Sequence, residues 1–398
     1  MAGGAQVVRV EGAGIAAALA AIVLKRAMPW AAVYWPGGSA MGAATGTAAS
    51  ALFGAAGSAL AALHQRIGLD HRLFVRRTRA VALSGIAVAG FGRDGTLPLL
   101  MSQPFVEGAP LTALWQRAVR ERWPVIPDFA ELCRRVDAAP RSEWRFDFAA
   151  YHHLLVEMAS AIGVVVGGSM PEAKGPSMTV HTDPQADAAW IDWSADHQVP
   201  PVAITELDRR DGQETVDQVV RTDAGINWHG PHRAFQLVCT HGSHAGVIAP
   251  GHHAQPRAGP VLRVGEAAVL GVAPDGTWMD VLCEDLLALF ALGPGEIGSP
   301  RLDAEYARRA TIRYGCWADW LAVQWRQPGP VTPNDAPRLQ AILDDWDRRG
   351  WLSFRDGDAV AQGAWMAWLA VTRPIPARID PTAMNISAQR MRRLFGEG

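Results

Sequence analysis

The chain has 398 residues, against the roughly 100–200 usual for one domain, so two to three structural units sharing one or two cores are expected. With 49% hydrophobic and 19% charged residues it is too apolar for disorder, and 37 basic against 39 acidic side chains leave no electrostatic footprint for nucleic acid. Cys133, Cys239, Cys283 and Cys316 form neither a CxxC pair nor a disulfide framework, which points to a reducing compartment and a cytoplasmic protein.

The chain opens on a β-branched run, Val7-Val8-Arg9-Val10, which passes through Glu11 into Gly12-Ala13-Gly14-Ile15-Ala16-Ala17 and then good helix formers to Arg26. That is strand, tight turn, helix. The apolar stretch from Ala13 to Leu24 has no basic leader and no small-residue cleavage site, and it is too short to span a bilayer, so no targeting or membrane segment is expected. Ala31 to Trp35 predicts a second strand ending in Pro36-Gly37-Gly38. Gly, Ala, Ser and Thr dominate from Gly37 to Gly57, as in a loop whose backbone approaches a bound group. Phe148 to Ile162 has helical periodicity and leads into Gly163-Val164-Val165-Val166, expected as a buried strand, while Ala188 to Trp193 predicts a strand ending on Asp192. The β-rich runs Val202–Leu207, Thr215–Thr222, Ala234–Thr240 and Ala245–Ile248 predict an antiparallel sheet inserted into an α/β frame. Val261-Leu262-Arg263-Val264 reads as another buried strand and Trp278 to Leu292 as an apolar helix. From Leu302 onward the pattern is helices broken at Pro328–Pro337 and Pro374–Pro381.

Gly12-x-Gly14-x-x-Ala17 follows a predicted strand and opens a predicted helix. Its first glycine permits the turn, and its second lets backbone N–H groups and the helix N-terminus approach a pyrophosphate. Taken alone, the pattern also fits a glycine-rich turn that packs a helix on a sheet. A second piece lies far downstream, where the strand from Val261 ends in Gly265 and Glu266 and Ala273-Pro274-Asp275-Gly276-Thr277 leads into the helix from Trp278. A strand end carrying an acid sets a carboxylate beside a polyol, and the loop and helix N-terminus accept density from an anionic ring edge. Two such sites suit a dinucleotide with a ribityl chain, FAD more than NAD.

Along almost its whole length the chain resembles the flavin-dependent monooxygenase and tryptophan-halogenase superfamily. Val261–Leu292 is similar to that family's GDAA…DP…G flavin motif, with Glu266 for the usual Asp and Ala273 for the Asp before Pro274. Leu63 to Asp70 resembles the segment after the halogenase flavin loop, and Arg145 to Gly163 the helix before the third strand of the frame. Asp192 ends a strand similar to the family's DASG strand, although Trp193-Ser194-Ala195-Asp196 replaces its small turn, and the helices from Tyr306-Ala307-Arg308-Arg309 look like the halogenase tail. The resemblance implies an α/β protein: a glutathione-reductase-type FAD-binding Rossmann domain with an inserted antiparallel β-sheet substrate domain and a helical C-terminal part. Residues 1–295 would bind FAD, interleaved with substrate-binding segments near 75–145 and 200–260, and 296–398 would form the helical region. Gly12, Gly14, Ala16 and Ala17 would hold the pyrophosphate, and Gly265 and Glu266 the ribityl chain. Pro274, Gly276 and Thr277 would border the isoalloxazine, with Asp280 nearby.

The departures from the family decide the chemistry. Tryptophan halogenases carry a lysine in the Gly-rich loop, where its amine captures hypohalous acid. Here Gly37 to Thr47 has none, and Lys25 and Lys174 are the only lysines in the chain. The family's WxWxIP motif survives only as Ile226-Asn227-Trp228-His229-Gly230-Pro231. The second strand ends Tyr34-Trp35-Pro36, without the acid that binds the adenosine ribose, which fits either a rearranged adenosine site or a loosely held FAD. That FAD would be reduced by NAD(P)H directly or through a separate flavin reductase. The resemblance with these departures implies a monooxygenase in which an electron-rich aromatic, an indole, attacks a flavin C4a-hydroperoxide. Lysine-free, shortened halogenase-like chains resemble the flavoproteins that hydroxylate a tryptophan of a partner polypeptide during maturation of tryptophylquinone cofactors, such as that of quinohemoprotein amine dehydrogenase. That implies a peptide or protein substrate and an open cleft. The rivals are hydroxylation or halogenation of a free small aromatic metabolite, and a non-catalytic flavin-fold binding module.

His229, His232, His241, His244, His252 and His253 fall in one stretch and are expected on the inserted sheet and its loops, facing substrate, with His241 or His244 the candidate acid or base. Cys239-x-His241-x-x-His244 lacks the paired spacings of zinc sites, so no metal is expected. Of 16 tryptophans, Trp317, Trp320, Trp325, Trp346, Trp351, Trp365 and Trp368 lie in the C-terminal region, where helix-packing core is the expectation and a docking cleft the alternative.

Overall fold

The computed structural model describes residues 6–39, 55–92, 94–138, 143–169, 178–183, 189–207, 216–240, 247–293, 299–326, 336–350, 352, 360–376 and 378–396. Strand Val7–Glu11 lies at the centre of a six-stranded sheet in the spatial order Val165–Val166, Ala32–Trp35, Val7–Glu11, Met178–His181, Val261–Arg263, Arg257–Ala258. All pairings are parallel except that of Arg257–Ala258. Val8, Val10, Val33 and Val180 are fully buried in this sheet, and helix Gly14–Ala27 packs on it. Every residue of that helix from Ile15 to Leu24 is buried, because helices Phe148–Ala161 and Trp278–Leu292 pack on its remaining sides. A helix apolar all round must be wrapped in this way.

One sequence expectation changes here. Gly163–Val166 is not a buried strand. Only Val165–Val166 pairs, against Tyr34 and Trp35 at the sheet edge, and Val165 is 41% exposed. The sheet's inner position beside Val7–Glu11 is taken instead by Met178–His181, where Thr179 and His181 alternate with buried Met178 and Val180 and so dilute the apolar run that marks a parallel strand. The strand expected to end on Asp192 forms, outside this frame. Trp190–Asp192 belongs to a separate three-stranded antiparallel sheet with Gly251–His253 and Val269–Leu270, and the Asp192 carboxylate accepts the Ser194 N–H at 2.7 Å, capping the short helix Trp193–Asp196.

A seven-stranded sheet runs Val247–Ile248, Val202–Leu207, Ala234–Cys239, Gly225–His229, Val216–Thr222, Gly85–Ala89, Gly95–Leu97. It is mixed rather than purely antiparallel, because Val216–Thr222 pairs in parallel with Gly85–Ala89 from a distant part of the chain. A parallel pair needs a long crossover, which the hairpin spacing of the later strands could not reveal. A smaller sheet holds Trp144–Arg145 between Ala55–Ala56 and Val81–Ala82. The helices Pro300–Trp325, Pro337–Arg349, Gln362–Thr372 and Ala388–Phe395 complete the chain. Trp317, Trp320, Trp325, Trp346, Trp365 and Trp368 are all buried, with Trp320 edge-on to Trp365 and Trp368, whereas Trp351 lies outside the described residues. Among the described residues no helix is long and apolar enough to cross a membrane.

Candidate functional site

The carboxyl ends of Val7–Glu11, Met178–His181 and Val261–Arg263 meet at one edge of the parallel sheet, the place where open α/β sheets bind ligands. Gly12 has φ +119° and Gly14 φ +74°, backbone that a side chain disfavours. A Cβ on Gly12 would come within 2.0 Å of Thr182 Oγ1 and 2.7 Å of Asp183 Oδ1, whereas a Cβ on Gly14 would meet nothing within 4 Å. Gly12 is therefore packed, and Gly14 faces open space at the N-terminus of its helix. No side chain of the preceding Ala13 caps that helix, so its first N–H groups point toward the same space.

The two glycine-bearing turns converge. A Cβ on Gly265 would lie 3.1 Å from the Ala16 Cβ, and Thr182 links the turns through hydrogen bonds. Thr182 donates to the Glu11 carbonyl from N at 3.1 Å and from Oγ1 at 3.0 Å, while its own carbonyl accepts the Ala267 N–H at 3.2 Å. Ala16 and Ala17 are buried at the helix start, and Glu266 is buried in the short helical turn Gly265–Ala267. A diphosphate before Gly14 and a polyol beside Glu266 both fit this arrangement. The adenosine end fits less well. Where an acid would end the second strand stands Trp35, 0% exposed, whose Nε1 donates to the Gly12 carbonyl at 3.1 Å. In addition, Asp183 Oδ1 lies 3.4 Å from the Ala13 N, an anion beside an N–H that a phosphate would use.

The third predicted element, Pro274 to Thr277, is buried. Thr277 donates to Asp275 Oδ1 from N at 3.3 Å and from Oγ1 at 3.0 Å, and Trp320 Nε1 donates to Asp275 Oδ2 at 3.2 Å. Asp280, in the first turn of the following helix, accepts the Gly57 N–H at 2.8 Å. A Cβ on Gly57 would come within 2.2 Å of that carboxylate, so a glycine lets the end of the Gly-rich segment dock on this helix. Sequence reasoning missed Arg145 and Asp217, which reach this turn from another side. Arg145 Nη2 donates to the Asp275 carbonyl at 3.1 Å, and Arg145 Nε donates to Asp217 Oδ2 at 2.7 Å. Burial pushes the Asp217 carboxyl up to about 6, against the pull of Arg145. A lone buried Arg in a two-residue strand has no periodic signature; only the acid at Glu143 hinted at a partner.

The histidine stretch does not share one sheet. His229 is buried on the seven-stranded sheet, whereas His252 and His253 are buried on the three-stranded one. His252 Nδ1 accepts the Trp193 Nε1–H at 2.9 Å, and burial, then His197 and His253, push its pKa down to about 4. It is a neutral core acceptor. His241 and His244 lie outside the described residues. Among the described residues no group of three or more His, Cys, Asp or Glu side chains is arranged to hold a metal ion.

Sheet, glycine turn and strand-end acid define an α/β protein with a parallel Rossmann-like core and an added seven-stranded sheet. No protein-family model and no curated protein matches the chain. Solved structures do match. BrvH, a flavin-dependent halogenase from Brevundimonas sp. BAL3, aligns at 15% identity and TM-score 0.74 over 98% of this chain and 94% of its own. Xcc4156, a flavin-dependent halogenase from Xanthomonas campestris, aligns at 14% identity and TM-score 0.77 over 98% and 93%. MibH, a lathipeptide tryptophan 5-halogenase, aligns at 16% identity and TM-score 0.73 over 100% and 92%. The particular fold is thus the one seen in flavin-dependent halogenases.

Proposed function

We propose that the chain is an FAD-dependent monooxygenase that hydroxylates an electron-rich aromatic, the indole of a tryptophan carried by a partner polypeptide during quinone cofactor biogenesis. The observation that carries this reading is a halogenase fold without the lysine that a hypohalite relay requires. Lys25 donates to the carbonyls of Pro29 and Ala31 at 3.0 and 2.8 Å, at the opposite end of its helix from Gly12, so it has no access to the glycine turn. No lysine occurs from Gly37 to Thr47, and Lys174 lies outside the described residues. The likeness to MibH, a halogenase of a lathipeptide tryptophan, supports an indole borne on a peptide.

In this reading, FAD supplies the activation of molecular oxygen once it is bound and reduced, by NAD(P)H directly or through a separate reductase. Gly12, Gly14, Ala16 and Ala17 hold the diphosphate, where the helix N-terminus offsets its charge. Gly265 and Glu266 take the ribityl chain, and Pro274, Gly276 and Thr277 border the ring. Trp228, stacked on Phe235 at 5.7 Å and buried with it, forms an apolar wall of the substrate sheet. Residues 1–295 serve the flavin, interleaved with substrate segments near 75–145 and 200–260, and 296–398 cover them with helices. A cytoplasmic setting, and His241 or His244 as acid or base, belong to the same reading.

The test is the visible spectrum of the purified protein with added FAD, followed by product mass after reduction in air with a tryptophan-containing peptide, free tryptophan and chloride all present. A flavin-bound spectrum and oxygen added to the peptide are expected. A chlorinated product overturns the argument from the missing lysine, oxygen on the free amino acid alone favours a small-metabolite enzyme, and protein that takes up no flavin favours a binding module.

A further inference from the structure

Arg145 is 1% exposed, a position a guanidinium occupies only where its donors are matched. Here each of its nitrogens is engaged. Nε donates to Asp217 Oδ2 at 2.7 Å and Nη2 reaches the same oxygen at 2.5 Å. Nη1 donates to Glu143 Oε2 at 3.3 Å and to the Trp144 carbonyl at 3.1 Å, and Nη2 also donates to the Asp275 carbonyl at 3.1 Å. Asp217 is 0% exposed on strand Val216–Thr222, with the indole of Trp228 beside it. A Cβ on Gly230 would come within 2.4 Å of the Trp228 ring and 3.2 Å of Asp217 Oδ1, which shows how closely these groups are packed. One planar fork thus joins the small sheet that ends the Gly-rich segment, the inner wall of the seven-stranded sheet, and the turn that opens helix Trp278–Leu292.

We propose that Arg145 is a positioning residue: through the Asp275 carbonyl it sets the Pro274–Thr277 turn against the flavin ring, and through Asp217 it ties that turn to the Trp228 wall on the substrate side. This rests on the flavin reading above. Two features make the device specific. A lysine ammonium is a point charge that cannot serve a carboxylate and a carbonyl at the angles a guanidinium spans. Furthermore, Asp217 is the partner shared with the substrate sheet, so an aromatic guest that shifts Trp228 displaces the same network that holds the turn. The charged groups around Asp217 are Arg145 and Glu143, with Asp275 facing Arg145 from the turn. Protonation of Asp217 removes one negative charge beside the guanidinium, so the flavin potential acquires a component of pH dependence beyond that of the flavin's own proton uptake.

The experiment compares Arg145→Lys, Asp217→Asn and, as a control outside the fork, Glu157→Gln, an exposed acid paired with Arg77, in the full-length protein. Measured are FAD affinity, flavin midpoint potential against pH, the flavin absorption change on adding indole, and far-UV circular dichroism with thermal unfolding. For Arg145→Lys we expect native circular dichroism, FAD affinity lower by about tenfold or more, and a displaced potential. Asp217→Asn should bind FAD nearly as wild type but lose both the Asp217 component of the potential's pH dependence, leaving the slope of the flavin's own proton uptake, and the spectral response to indole. Glu157→Gln should leave FAD affinity within about twofold of wild type and the potential and indole response unmoved. Wild-type affinity and potential in Arg145→Lys would overturn the proposal. If that variant does not fold, Asp217→Asn decides the matter, since a retained indole response and an unmoved potential overturn it equally. Failure of wild-type protein to take up FAD refutes the flavin reading itself, whereas normal wild-type binding with unaffected variants refutes only the role of Arg145.

Discussion

Gly12→Ala probes whether the first glycine turn is the geometric element that a diphosphate would need. The new Cβ would sit 2.0 Å from Thr182 Oγ1 and 2.7 Å from Asp183 Oδ1, at φ +119°. That torsion lies outside even the small left-handed region open to other residues, and left-handed backbone already costs an L-residue about 1–2 kcal/mol. Thr182 must also rotate away and lose its 3.0 Å hydrogen bond to the Glu11 carbonyl, worth about 0.5–1.5 kcal/mol. The sum, about 2–4 kcal/mol with some repacking, is relieved when the apoprotein turn relaxes and must be restored when FAD binds, a loss of roughly thirtyfold to several hundredfold in affinity. Gly14→Ala provides the contrast, since its Cβ meets nothing within 4 Å. Only the torsional cost remains, about 1 kcal/mol or roughly fivefold. Titration of apoprotein with FAD, read by quenching of flavin fluorescence, should show the larger loss in Gly12→Ala, with denaturant unfolding run in parallel. Equal losses in the two variants, or wild-type affinity in Gly12→Ala, would refute the reasoning.

Asp183→Asn removes the anion beside the Ala13 N–H, and FAD should bind about two- to fivefold more tightly at low salt, with the gain shrinking as salt rises; equal or weaker binding contradicts an electrostatic penalty there. Trp320→Phe keeps a ring against Trp365 and Trp368 but leaves Asp275 Oδ2 without its 3.2 Å donor, so the urea midpoint should fall by an amount equivalent to about 1–3 kcal/mol, and an unmoved midpoint would show the bond to be dispensable. Burial, and then the nearby His71, push the His64 pKa from 6.5 to about 3. The folded state therefore holds this imidazole neutral, and its contribution is complete above pH 6.5 and lost progressively as the pH falls toward about 3. His64→Gln retains a partner for the Tyr151 hydroxyl, which lies 2.7 Å from Nε2, and should flatten the acid side of the stability profile measured by urea midpoints; an equally steep decline would place the acid sensitivity elsewhere.

Elements whose side chains share one burial environment were legible in advance. Helix Gly14–Ala27 is apolar on every side from Ile15 to Leu24, Trp278–Leu292 is dense in apolar residues, and the Gly12 turn carries the glycines that its positive φ angles favour. Met178–His181 was hidden because half of its side chains are polar or partly exposed, and the parallel pairing of Val216–Thr222 with Gly85–Ala89 was hidden because nothing local reports a partner so remote in the chain. The Arg145, Asp217 and Trp320 contacts with the Asp275 turn were equally illegible, since each residue taken singly reads as an ordinary charge or core aromatic.

By itself, then, the sequence determined the local pieces: a strand, a glycine turn and an apolar helix at the start, a second glycine-bearing strand end far downstream, and a halogenase-like order without the relay lysine. Only the tertiary structure decided that Gly265 comes to rest against Ala16, that Trp35 rather than an acid holds the Gly12 carbonyl, and that one buried guanidinium links the two halves of the candidate site. The physical reason is that local pattern reports the torsions and burial of neighbouring residues. Charge pairing and close backbone approach depend on which distant segments the core brings together.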